Sequence, residues 1–266
     1  MAADRVPDRL RAHWAAWFGA SPQDLAALGA GNGRPDGPGP GRTAPRVVVV
    51  GSRRRTAPGW DGAVHPVLGV IDPAGRAVVS VPPDDARWAR DLVAGGTDLD
   101  GLREALPGRL GLPGHQVYRA AYRWTTEPAG PEHQPDAGVW VPVDDPAVPE
   151  WLRPFGGKAL IAVDEDGGYL AGVGLKRHDG HAREIAVVTD EAARGRGLAR
   201  RLVAQSARTL LSAGVVPTYL HDPDNIASAR VAEAAGLPDR GWTALGLAEP
   251  SLTTEEDQRA SQAPVA

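Results

Sequence analysis

Residues 184–199 read EIAVVTDEAARGRGLA, an apolar run that gives way to arginines threaded with glycine. EIAVVT has the β-branched content of a strand, and the segment LARRLVAQSARTLLSAG (198–214) sets Leu198, Leu202, Val203, Leu210 and Leu211 at helical spacing. A glycine-rich turn between strand and helix leaves several N–H groups without an intrahelical acceptor, and the helix dipole adds positive potential there. Such a turn suits a phosphate: glycine permits close approach, and arginine adds charge-assisted hydrogen bonds.

Three phosphate loops compete for this stretch. A Walker loop ends in Gly-Lys-Ser/Thr, which is missing. A dinucleotide fingerprint needs a third glycine where Arg200 stands, and no acidic residue follows at the ribose distance. The coenzyme A pyrophosphate loop, Arg/Gln-x-x-Gly-x-Gly/Ala, is matched at every position by Arg194-Gly195-Arg196-Gly197-Leu198-Ala199.

Working outward, KALIAVD and GYLAGVGLKRH bracket the turn EDGG, and the turn HDGH leads into GHAREIAVVT, giving an antiparallel meander of strands. After the long helix come a strand in VVPTYL, a helix in NIASARVAEAAG capped by Asn225 and stopped by Gly236, and a last strand in GWTALGL. The region from about residue 139 to 247, roughly two-fifths of the chain, resembles the GNAT N-acetyltransferase superfamily in the order of these pieces. DNIASARVAEAAGL looks like that superfamily's Asn-x-x-Ser/Ala stretch, with Leu237 in place of its aromatic residue. The combination is also similar to a bacterial subgroup that carries an extra N-terminal module.

The resemblance implies an α/β (α+β) fold: a mixed, splayed sheet flanked by helices over 139–248, preceded by a smaller α/β module over 1–126. It further implies acetyl-CoA as co-substrate. Main-chain groups of Val187, Val188 and Thr189 would bond the pantetheine arm, with an N–H near Val188 as the oxyanion donor. Arg194, Gly195, Arg196, Gly197, Leu198 and Ala199 would hold the pyrophosphate, and Asn225 would touch the pantetheine or simply cap its helix. The reaction implied is direct attack of an amine on the thioester. An alkyl amine, with a pKa near ~10.4, must first lose a proton. Glu184 and His221 are the candidate bases. The tyrosine that many members place seven residues after the Asn is Ala232 here, so Tyr219, water or no group at all would serve the leaving thiolate.

The N-terminal half shows no chemical constellation. PDRLRAHWAAWFG and SPQDLAALG read as helices; RVVVVG, HPVLGVID and RAVVSVP as strands; DDARWARDLV and DLDGLREAL as helices; HQVYRAAYRW as a final strand. A degenerate copy of the GNAT fold is compatible with that pattern. Residues 29–45, the linker 127–138 and the tail 249–266 have the composition of flexible segments. Of the eight tryptophans, most read as core anchors, and Trp60 stands apart in PGWDG.

Composition narrows the classes. A net charge of −4 argues against general nucleic-acid binding. No apolar run approaches the ~20 residues of a membrane span. With no cysteine, disulfides, thiolate sites and cysteine nucleophiles are excluded. The pair His178 and His181 lies in a turn with only Asp179 nearby, so no metal is expected. The expectation is a cytoplasmic acetyltransferase acting on a small-molecule or peptide amine, or alternatively a non-catalytic acyl-CoA-binding sensor or scaffold.

Overall fold

The computed structural model describes residues 6–29 and 46–249; the Gly/Pro-rich stretch 30–45 and the tail from 250 lie outside them. In chain order the elements are α1 (Asp8–Phe18), β1 (Val47–Gly51), β2 (Leu68–Ile71), β3 (Ala77–Val81), α2 (Pro83–Ala94), α3 (Leu99–Arg109), β4 (Gln116–Trp124), β5 (Val139–Pro142), β6 (Lys158–Val163), β7 (Tyr169–Lys176), β8 (Ala182–Thr189), α4 (Leu198–Ser212), β9 (Val216–His221), α5 (Ile226–Ala234) and β10 (Thr243–Ala248). Contacts divide them into two compact units: the chain up to Ala120 together with the part from Arg240, and Ala121–Asp239. The boundary runs through β4.

In the first unit β1 pairs with β3 in parallel and β2 pairs with β3 antiparallel. Valines from these strands pack on Ala86, Ala89, Leu102 and Leu106 of α2 and α3. The rings of Trp14 and Trp242 meet at 4.9 Å, both buried. The stretch SPQDLAALG is a run of turns and not a helix. Arg11 of α1 donates to the carbonyls of Leu25 and Leu28 at 3.1 and 2.9 Å, and so short a segment does not repay helix nucleation. β10, grouped by sequence with residues 139–248, pairs antiparallel with β2, from Thr243↔Ile71 to Gly246↔Leu68. An alternating apolar pattern shows that a strand is half-buried but not which strand it joins.

The second unit holds a mixed sheet in the order β4-β9-β8-β7-β6-β5, where only the last four residues of β4 pair with β9. Successive residues of β6 point to opposite faces. Leu160 and Ala162 meet Leu202, Val203 and Ala207 of α4, while Ala159 and Ile161 meet Leu152 in a 3-10 turn, Glu150–Phe155. On β7, Gly172 and Gly174 let that turn approach: an added Cβ would lie 2.7 Å from Leu152 Cδ1 and 2.5 Å from Phe155 Cγ. The segment 127–138 has no helix or strand, yet it is strapped down. Arg208 of α4 donates to Ala129 O, to Gln134 O at 3.0 Å and to Asp136 at 2.6 Å. Gln205 accepts from Ala137 N and Gly138 N and donates back to Gly138 O. Side chains far along the chain supply these partners, which composition does not reveal.

Candidate functional site

β8 and β9 are the only parallel neighbours in the second unit's sheet among the described residues, and they stay paired for a short distance. The register runs Ala182↔Val216, Arg183↔Pro217 and Glu184↔Thr218 and then stops, although β8 continues to Thr189 and β9 to His221. On their outer sides both strands remain paired, β8 with β7 up to Thr189 and β9 with β4 up to His221. A gap therefore opens between them beyond Glu184.

The backbone alternation decides which groups face that gap. Asp190 N donates to Leu170 O, and the register with β7 makes residues 184, 186 and 188 equivalent to Asp190. On the other side the carbonyls of His181 and Arg183 accept from Val216 N and Thr218 Oγ1 of β9. Odd-numbered residues thus turn their N–H and C=O toward β9. Val187 and Thr189 present main-chain groups to the gap, whereas Val188 turns its own to β7. Of the three residues expected to bond the arm, Val187 and Thr189 are the ones whose main chain faces the gap.

At the wide end of β8 the chain passes through a 3-10 turn, Glu191–Ala193, into the loop 194–197. Gly195 and Gly197 have φ of 76° and 71°, and Gly197 caps α4 with no side-chain hydrogen bond. Glycine adopts this left-handed conformation without strain. Among the described residues, the N–H groups of Gly195 through Arg200 meet no backbone acceptor. They border a cleft of about 340 Å³, walled by Thr189, Ala193, the loop, the first turn of α4, and Ala227, Arg230, Val231 and Ala234 of α5. The hydroxyl of Thr189 is buried without a partner among the described residues. Free amides at a helix N-terminus, basic side chains and an unsatisfied hydroxyl in one cleft fit a diphosphate joined to a polar arm.

The catalytic candidates fare differently. Glu184 is buried and clamped by Lys176 Nζ at 2.5 Å and His178 Nε2 at 3.2 Å. Burial alone would raise its pKa, but the Lys176 ammonium, together with His178, overcomes this and holds it down at about 2. A carboxylate so acidic and so fully paired is no base for an amine, and that expectation is corrected. His221 has both ring nitrogens engaged, Nδ1 with Asp222 O at 2.8 Å and Nε2 as acceptor from Arg123 Nε at 2.9 Å. Its pKa is lowered, first by burial; the hydrogen bond to Asp222 opposes this and the Arg123 charge adds to it. The nitrogen that would take a proton is thus occupied, so His221 too is corrected from base to a fixed, neutral member of a buried cluster. Tyr219 is buried on β9 with its hydroxyl 2.7 Å from Ser228 Oγ, and burial raises its pKa.

Asn225 caps α5, its Oδ1 accepting from Ser228 N at 2.9 Å. His178 and His181 separate, since the first turns inward to Glu184; no cluster among the described residues is fit for a metal. Sequence reasoning missed Arg123, Lys176 and Arg230. An arginine inside the apolar strand YRW was the available signal for Arg123: a buried guanidinium needs several acceptors.

Residues 118–237 match the model of the Acetyltransferase (GNAT) family, so the chain carries a GNAT domain there. Among solved structures it is similar to an acetyltransferase of the GNAT family from Colwellia psychrerythraea, at 13% identity and a TM-score of 0.38, covering 50% of this chain and 56% of that one. It is also similar to a GCN5-related N-acetyltransferase-like protein from Streptococcus suis, at 19% identity and a TM-score of 0.41, covering 56% of this chain and 68% of that one. The chain thus spans little more than half the length of the first. No curated protein matches it. Among the described residues no helix is long and apolar enough to cross a membrane.

Proposed function

We propose that the protein is an acetyl-CoA-dependent N-acetyltransferase, transferring an acetyl group to the amine of a small molecule or peptide by direct attack on the thioester. The observation that carries this reading is the gap beyond Glu184 and Thr218 opening beside the unbonded amides of Gly195 to Arg200. Coenzyme A, when bound, supplies the activated acyl group. Loop amides and Arg194 bind the diphosphate; the main chain of Val187 and Thr189 orients the arm, and one of their N–H groups stabilises the oxyanion. The side-chain amide of Asn225, whose oxygen caps α5, reaches the arm from the other wall. Tyr219, held protonated by burial, would donate a proton to the leaving thiolate, with water restoring it to the hydroxyl. No side-chain base is assigned: the amine reacts in its neutral form, its proton passing to water. A cytoplasmic setting belongs to the same reading.

A second reading, a non-catalytic acyl-CoA-binding sensor or scaffold, is favoured by the engagement of both Glu184 and His221 in structural contacts. Purified full-length protein incubated with acetyl-CoA and a panel of amines separates the two. Amine-dependent release of free thiol is expected. Tight binding with no release selects the sensor, and absence of binding removes both.

A further inference from the structure

The cleft at the glycine loop lies on the α4 and α5 side of the second unit's sheet, where Ile185 is buried and Val187 packs on the same core. Side chains alternate along a strand, so Ala186 and Val188 point to the other face, and Val188 is 39% exposed there. An arm entering the gap from the α4 and α5 side leaves that other face to the incoming amine.

Aromatic rings stand beside Ala186 and Val188. Across the ladder these two residues pair with Gly174 and Gly172 of β7. Phe155 lies over Gly174, and the Tyr169 ring lies over Gly172, its hydroxyl 3.1 Å from where a Cβ would stand. That hydroxyl donates to Val188 O at 3.2 Å and meets the Trp151 side chain. Trp151 in turn packs edge-on against Phe155, with ring centroids 5.9 Å apart. All three rings are half-buried, so each is held by neighbours and still leaves part of its surface to solvent. Rings already fixed in place lose little freedom when a ligand settles on them.

Charge on this face is spoken for. Of residues 172, 174 and 176 on β7 and 184, 186 and 188 on β8, only Lys176 and Glu184 are charged, and they pair with each other. The second ammonium of a polyamine, or the carboxylate of a free amino acid, finds no free counter-charge on these strands.

We infer that Trp151, Phe155 and Tyr169 form the acceptor wall and select an arylalkylamine, its ring against theirs and its nitrogen toward the gap. The inference rests on the transferase reading and narrows its acceptor. An aromatic ring gains from edge-to-face or offset contact beyond the apolar area it buries.

Thiol release from acetyl-CoA by the full-length protein is measured with phenethylamine and with ethanolamine. Calorimetry follows phenethylamine binding to the protein saturated with coenzyme A. Wild type is expected to favour phenethylamine by about tenfold or more in kcat/KM. W151A should cut that preference to about threefold or less and weaken the calorimetric affinity by about tenfold, with KM for acetyl-CoA unchanged. W151F keeps a ring and should restore most of both. Equal use of the two amines, or a preference that survives W151A, would overturn the aromatic wall and leave the transferase reading intact. If coenzyme A binds but neither amine releases thiol, calorimetry decides: an affinity for phenethylamine that W151A weakens upholds the wall, and no binding overturns it. Failure of wild type to bind coenzyme A overturns the transferase reading, and this inference with it.

Discussion

Arg123 donates from Nε to Nε2 of His221 at 2.9 Å, and its remaining nitrogens reach Glu233, the carbonyl of Leu237 and Asp239. One buried side chain thereby ties β4, β9, α5 and the segment after it. Replacing Arg123 with alanine leaves His221 Nε2 and Leu237 O without a donor. The variant should lose on the order of 2–4 kcal/mol of stability in urea unfolding, since each orphaned buried acceptor costs roughly 1–3 kcal/mol.

The same contact predicts a pH effect. Because the folded pKa of His221 lies below its unfolded value, its share of stability is complete above about 6.5 and is lost as pH falls through that value toward the folded pKa. H221Q should flatten the slope of stability as pH falls below about 6.5. It should leave the rate–pH profile unchanged, with kcat/KM still rising about tenfold per pH unit until the pKa of the amine.

Glu184 works in the same direction at lower pH. Its pKa falls from 4.5 to about 2 on folding, so its contribution is complete above pH 4.5 and is lost as pH drops through about 2. That shift corresponds to about 3 kcal/mol. The stability difference between wild type and E184Q should be widest above about pH 5 and should close toward pH 2, as followed by circular dichroism.

Two glycines two positions apart in sequence should respond differently. Gly195 faces open space, so G195A should cost only the strain of a left-handed alanine, about 1–2 kcal/mol. At Gly197 a larger residue meets the Arg200 guanidinium as well as the strain, at the point where the loop amides converge. G197V should weaken coenzyme A binding by about a hundredfold or more in calorimetry, while the protein still folds.

Tyr219 supplies a test of chemistry apart from fold. Loss of its hydroxyl in Y219F removes one hydrogen bond to Ser228, worth about 1 kcal/mol. If the hydroxyl protonates the leaving thiolate, kcat falls by about 10²-fold or more with KM for acetyl-CoA little changed. A kcat within about threefold of wild type would leave the thiolate to depart unassisted.

The glycine loop and its flanking strand and helix were legible because their signals are local: β-branched residues, then glycine, then a stripe of leucines. The same holds for Asn225, whose cap bond spans three residues. The roles of Glu184 and His221 were not legible, because their pairing with Lys176, His178 and Arg123 is set by register across strands. The partner of β10 and the fastening of 127–138 by Arg208 escaped for the same reason: each depends on residues far away in the sequence.

The division of β4 bears on how the molecule is cut for study. A fragment beginning at residue 139, where composition invites the scissors, discards Ala121–Trp124 and bares the backbone edge of β9 that they cover. It also strips away Arg123, stranding the imidazole it fixes. Such a piece should be insoluble or aggregate, as an uncovered strand edge recruits its own copies, whereas one starting before Gln116 keeps that margin sealed.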